Sequence, residues 1–153
     1  VMPKHYNQMK IIILDTNIVF SSILNAQGNI GEILFNNNDK LDFYSSEYLR
    51  EEIDRHRNRI LELSKTSEEE VDETIFQIYK KINFISDLQI PMKIWYDCAP
   101  MLRDIDMDDL PFVALTVYLD GLLWTGDLKL RNGLLSKGFN RCILTEELLE
   151  ILR

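Results

Sequence analysis

Residues 10–14 read Lys-Ile-Ile-Ile-Leu, and Asp15 follows directly. A strand at the edge of water would alternate apolar and polar residues. An unbroken run rich in β-branched residues is instead a strand covered on both faces, which belongs to a parallel sheet. Parallel neighbours need crossover helices, so helices must pack above and below it. The rest of the chain supplies both. Strands are expected at 41–44, 83–86, 122–124 and 141–144. Helices are expected at 17–25, 28–37, 46–63, 67–81, 91–102, 111–119, 128–135 and 146–152. The fold class is therefore α/β, with right-handed crossovers and one domain over 1–153.

Local signals set the helix ends. Ile30, Ile33 and Leu34 have helical spacing, and the asparagines at 36–38 stop that helix. Ser45 and Ser46 can cap the long helix 46–63, whose apolar side is Leu49, Ile53, Ile60 and Leu63. Ser67 with Glu70 forms a capping box, followed by an inner stripe of Val71, Ile75, Ile78 and Tyr79. Pro91 opens another helix, and Thr145 caps the last. Trp124, between Leu123 and Thr125, reads as sheet core.

The 153 residues carry 17 basic and 25 acidic side chains, a net charge of −8. That argues against a protein that coats duplex nucleic acid. No apolar run reaches the roughly 18 residues of a membrane span. Val1 to Lys10 shows no secretory pattern, which predicts a cytoplasmic protein with no membrane partner. Cys98 and Cys142 fit no metal or redox spacing and read as buried thiols in a reducing compartment. His5 and His56 are too few and too scattered for zinc.

The acids carry the chemical information. Asp15 ends the first strand and Asp127 lies just past the fourth, where ligands bind in open parallel sheets. Asp109 precedes the helix that feeds the fourth strand, and Glu52 lies on the helix after the second. If strands one and four are neighbours, all four can face one cleft. Two like charges about 4 Å apart repel by roughly 4 kcal/mol at an effective dielectric near 20, so protons or a divalent cation must relieve them. An all-oxygen donor set suits Mg2+ or Mn2+, and its natural chemistry is phosphodiester hydrolysis. No phosphate loop, nucleophile elbow or dinucleotide fingerprint competes. Each acid also has a plainer reading. Asp15 and Asp127 can cap the helices that follow them. Glu52 can be a solvated helix residue, with Glu51 as its rival. Asp109 stands in an acidic run with Asp104, Asp106 and Asp108, and Asp108 can be the helix cap. Thr16, Asn17 and Thr125 can orient a water or a carboxylate, or simply cap helices.

Four segments resemble the motifs of the PIN domain family of metal-dependent ribonucleases. They are Ile11-Ile12-Ile13-Leu14-Asp15-Thr16-Asn17, Leu49-Arg50-Glu51-Glu52-Ile53, Asp108-Asp109-Leu110-Pro111-Phe112-Val113-Ala114-Leu115-Thr116 and Leu123-Trp124-Thr125-Gly126-Asp127. The resemblance runs from residue 10 to about 145. It implies a three-layer α/β/α fold with a parallel sheet of about five strands. It also implies that Asp15, Glu52, Asp109 and Asp127 hold the metal and catalyse. Glu52 and Asp109 are preferred to Glu51 and Asp108 on the motif match. RNA is the implied substrate. Toxin members of the family are held by a small antitoxin, and many members form homodimers, so both are implied partners. Lys129 stands where many members carry a further acid, which leaves open an inactive or regulatory nucleic-acid-binding domain. Lys129, Arg131, Lys137 and Arg141 are candidates for contact with the nucleic-acid backbone. A phosphatase of small metabolites is a rival, although Asn17 breaks the Asp-x-Asp pattern it would use. A purely structural partner protein would need the acids to diverge.

Overall fold

The computed structural model describes residues 9–36 and 39–153. His5, Asn37, Asn38 and most of the Val1–Lys10 segment discussed above lie outside them. The chain runs β1 (Lys10–Leu14), α1 (Thr16–Leu24), α2 (Asn29–Asn36), β2 (Leu41–Ser46), α3 (Tyr48–Arg55), α4 (Arg57–Ser64) and α5 (Glu68–Lys80). It continues with β3 (Ile82–Ile85), a 3₁₀ turn (Asp87–Gln89), α6 (Met92–Leu102) and a second 3₁₀ turn (Met107–Asp109). It ends with α7 (Leu110–Leu119), β4 (Leu122–Trp124), α8 (Leu128–Leu135), β5 (Cys142–Ile143) and α9 (Thr145–Leu152).

The five strands form one sheet in the order β3-β2-β1-β4-β5, and every pair is parallel. Helices cover both faces, giving a three-layer α/β/α architecture. β1 is central, and Ile12, Ile13 and Leu14 are fully buried. α7 is apolar on nearly every side, as a helix pressed into a core must be. Its residues 112–116 are all buried, and it packs on β1, β2 and β4. From β1 the chain builds outward to β2 and β3 on one side. It then crosses to β4 and β5 on the other. That reversal leaves a crevice at the carboxyl ends of β1 and β4.

Several local expectations are corrected. The expected helix 46–63 is two helices, α3 and α4, that meet at His56 (φ −99°, ψ 13°). Residues 54–59 contain no apolar side chain to hold that turn against the core. Leu49, Ile53 and Ile60 are buried, but Leu63 beyond the break is 47% exposed. Ser45 does not cap: its hydroxyl donates to the Leu14 carbonyl, while the Ser46 hydroxyl accepts from the Tyr48 N–H. Thr145 does not cap α9, because its hydroxyl accepts the indole N–H of fully buried Trp124 at 3.0 Å. A buried indole N–H needs such an acceptor. The Leu144 N–H is taken up by the Glu147 carboxylate. Cys142 is only partly buried, since β5 is the sheet edge; Cys98 is buried as expected. β3 begins one residue earlier than expected, at Ile82.

Gly121 sets the approach of β4 to β1. A Cβ there would lie 2.6 Å from Ile13 Cδ1 and 2.9 Å from the Ile11 carbonyl oxygen. Gly121→Ala is therefore expected to lower stability by about 1–3 kcal/mol through overpacking. Urea unfolding should show a reduced midpoint at an unchanged slope.

Candidate functional site

The β1–β4 pairing ends with Leu14 opposite Trp124, so Asp15 and Thr125 leave the sheet side by side. Asp15 is 3% exposed. Its carboxylate caps α1 by accepting from the Ile18 N–H at 2.9 Å. The Thr125 hydroxyl beside it favours its charged form. Thr125 accepts in turn from the Asp127 N–H at 3.1 Å. One buried hydroxyl thus stands between the two strand ends. Asp127 caps α8 by accepting from the Leu130 N–H at 3.1 Å. Both acids are N-caps at the sheet's carboxyl edge, and of the two only Asp15 also lines the cleft there.

Glu52 stands in the second turn of α3, and the Thr16 hydroxyl donates to its Oε1 at 2.5 Å. Glu52 lines the cleft, whereas Glu51 is exposed and does not. Asp109 occupies the N-cap position of α7, but its carboxylate caps nothing. The preceding 3₁₀ turn is capped by Asp106, which accepts from the Asp108 N–H. Asp109 is half-buried and lines the cleft with Asp15 and Glu52. Asp108 also lines the cleft, is exposed, and accepts from the Tyr48 hydroxyl at 3.2 Å.

The cleft has a volume of about 360 Å³. Asp15, Glu52, Asp106, Asp108 and Asp109 line it, together with Thr16, Asn17, Phe20, His56, Arg59 and Phe112. Asp127 does not line it, but acts electrostatically on both Asp15 and Asp109. None of Asp15, Glu52, Asp109 or Asp127 forms an ion pair with a described basic residue. Burial first, then Asp127 and Glu52, push the Asp15 carboxyl up to about 6 against the bonds from Thr125 and Ile18. Burial first, then Asp106, Asp15, Asp127 and Glu52, push Asp109 up to about 7. Burial raises Glu52 as well, opposed by its bond from Thr16.

An all-oxygen donor set under mutual repulsion fits a hard divalent cation in its chemistry. Among the described residues, no three His, Cys, Asp or Glu side chains stand close enough to form a ready cage. Unneutralised carboxylates repel, which favours such spreading.

Of the basic residues expected to meet nucleic acid, three are tied up. Arg131 pairs with Glu147, Lys137 with Asp104, and Arg141 with Asp120. Lys129 is exposed on α8. His56, considered above only for zinc, and Arg59 also line the cleft. Their signal was present, since positions 52, 56 and 59 share one helical face.

The raised carboxyls have a consequence for stability. The folded form holds these protons more tightly than the unfolded chain, so their charging disfavours folding as pH rises through the folded values. For Asp15, a rise from 3.8 to about 6 corresponds to roughly 3 kcal/mol. Asp109→Asn removes one such group. In chelator, the stability of this variant relative to the parent is expected to grow between about pH 4 and pH 7. Denaturant titrations at several pH values measure it; a difference that shrinks over that window contradicts the assignment.

A family model described as a PIN domain matches residues 13–147. Among solved structures, the chain is similar to one in VapBC2 from Rickettsia felis, bound to a DNA fragment from their promoter. The two are 15% identical with a TM-score of 0.65, over 88% of this chain and 96% of that one. At that identity the likeness speaks for the fold. No curated protein matches. The matched span takes in the last two residues of β1, the whole of β4 and all four acids, and by it this chain belongs to the PIN domain family.

Proposed function

We propose that this chain is a divalent-metal-dependent endoribonuclease that uses Mg2+ or Mn2+. The observation that carries the reading is that Asp15, Glu52 and Asp109, from three separate segments, line one cleft, with Asp127 acting on two of them and none ion-paired to a described basic residue. These four would hold the ion. When bound, it polarises a phosphoryl oxygen and lowers the pKa of an attacking water.

The chain's own residues position the donors. Thr16 holds one oxygen of Glu52, leaving the other for the cleft. Thr125 favours the charged form of Asp15 and accepts from the Asp127 N–H. The α1 N-terminus stabilises the Asp15 anion through the Ile18 N–H. Asn17 lines the cleft with an exposed amide, suited to hold a water or a phosphate oxygen. Phosphodiester cleavage needs no broad basic face, so the net charge of −8 does not oppose RNA as substrate.

The likeness to a chain of VapBC2 supports a small antitoxin as partner, and the family resemblance supports a homodimer. Leu63 on α4 and Phe76 on α5 are 47% and 57% exposed and offer apolar surface for such contacts. Lys129 motivates a second reading, in which RNA is bound but not cut.

Asp15→Asn keeps a good N-cap, so the variant should fold. Its RNA cleavage in Mg2+ or Mn2+ is expected to fall by about 10²-fold or more. Chelator should abolish cleavage by the parent. Undiminished cleavage by the variant removes the mechanism. Retention of RNA by the parent without turnover, across several metals, selects the second reading.

A further inference from the structure

We propose that Arg59, with His56 beside it, binds a backbone phosphate of single-stranded RNA next to the phosphodiester that is cut. The proposal rests on the nuclease reading and adds the group that holds the substrate.

A cleft crowded with carboxylates repels a polyanion. A bound ion would answer that repulsion at the reacting phosphate, but not at its neighbour. A cation fixed at the cleft wall is therefore needed, and the described basic residues offer few. Arg57, two positions before Arg59 on the same helix, is held by Glu68 and Asp72 at 2.9 and 2.7 Å. Arg131, Lys137 and Arg141 are likewise paired with acids.

Arg59 differs. It is exposed and lines the cleft, yet its guanidinium makes no ion pair or hydrogen bond among the described residues. Asp106 and Asp108 line the same cleft and do not capture it. Its placement follows from the helix. Glu52, His56 and Arg59 stand at i, i+4 and i+7, and all three line the cleft although α3 and α4 are separate. One face thus presents a carboxylate for the ion and, a turn or two later, an imidazole and a guanidinium. A planar guanidinium with five donors suits the bidentate binding of phosphate. Half-buried Phe20 adds an apolar surface in the same cleft, suited to an unpaired base.

The test measures binding and turnover separately. Binding of a fluorescein-labelled mixed-sequence single-stranded RNA is followed by anisotropy in the Asp15→Asn background, over a series of KCl concentrations. Adding Arg59→Ala is expected to weaken binding about 10-fold. It should also reduce the slope of log K against log[KCl] by about 0.7, the share of one phosphate contact on a single strand. Arg59→Lys should keep the slope. With Asp15 intact, Arg59→Ala should raise KM about 10-fold and leave kcat within about 3-fold, as loss of uniform binding does. Arg153→Ala, at the far end of α9, should change neither.

An unchanged slope and Kd for Arg59→Ala overturn the proposal. So does a fall in kcat at constant KM, or the absence of RNA binding in the Asp15→Asn background. The two readings fail separately. If the parent cuts no RNA but Arg59→Ala still flattens the salt slope, the nuclease reading falls and the contact stands. If the parent cuts RNA and the slope does not move, only the contact falls.

Discussion

A carboxylate buried at the carboxyl end of β1 is the feature on which the rest of the structure turns. Asp15 is 3% exposed and follows three fully buried residues. A charge in that place is costly unless dipoles, hydrogen bonds or a cation answer it. The fold supplies the first two, through the α1 N-terminus and the Thr125 hydroxyl. They do not cancel the burial, since the Asp15 carboxyl still rises to about 6. The same sheet reversal that buries Asp15 brings β4 beside it, and with β4 comes Asp127. α7 sets Asp109 nearby at its N-cap position without using the side chain as a cap. The site is thus a place where stability is given up locally.

Topology and site are therefore one fact. The crevice exists because the chain builds outward from β1 in both directions. The acids reach it because three of them lie next to the N-termini of α1, α7 and α8. Asp and Asn suit those positions for local reasons, so capping and metal binding draw on the same residue type. Capping leaves room for the proposed metal role of Asp15 and Asp127, because a capping carboxylate can use one oxygen and keep its second.

Much of this was readable from the sequence, and the exceptions have physical reasons. The Ile-rich run announced a central strand because only double burial tolerates an unbroken apolar stretch. The alternation of short apolar runs with helical stripes then carried the strand and helix order. The break at His56 was hidden: no proline or glycine marks it, and Leu49, Ile53 and Ile60 fit one long helix as well as two. Thr145 was misread because its partner, the Trp124 indole, lies 21 positions away. Arg131, Lys137 and Arg141 looked available because ion pairing depends on side chains that sequence distance does not reveal. His56 and Arg59 share a helical face with Glu52, but nothing in the spacing alone says that this face opens on a cleft.

The central claim is that the four acids share a hard cation. Anomalous scattering from crystals soaked in Mn2+ tests it most directly. A peak is expected within about 2.0–2.5 Å of carboxylate oxygens from Asp15 and at least two of Glu52, Asp109 and Asp127. Manganese bound elsewhere only, or no peak at a Mn2+ concentration that saturates RNA cleavage, would contradict it.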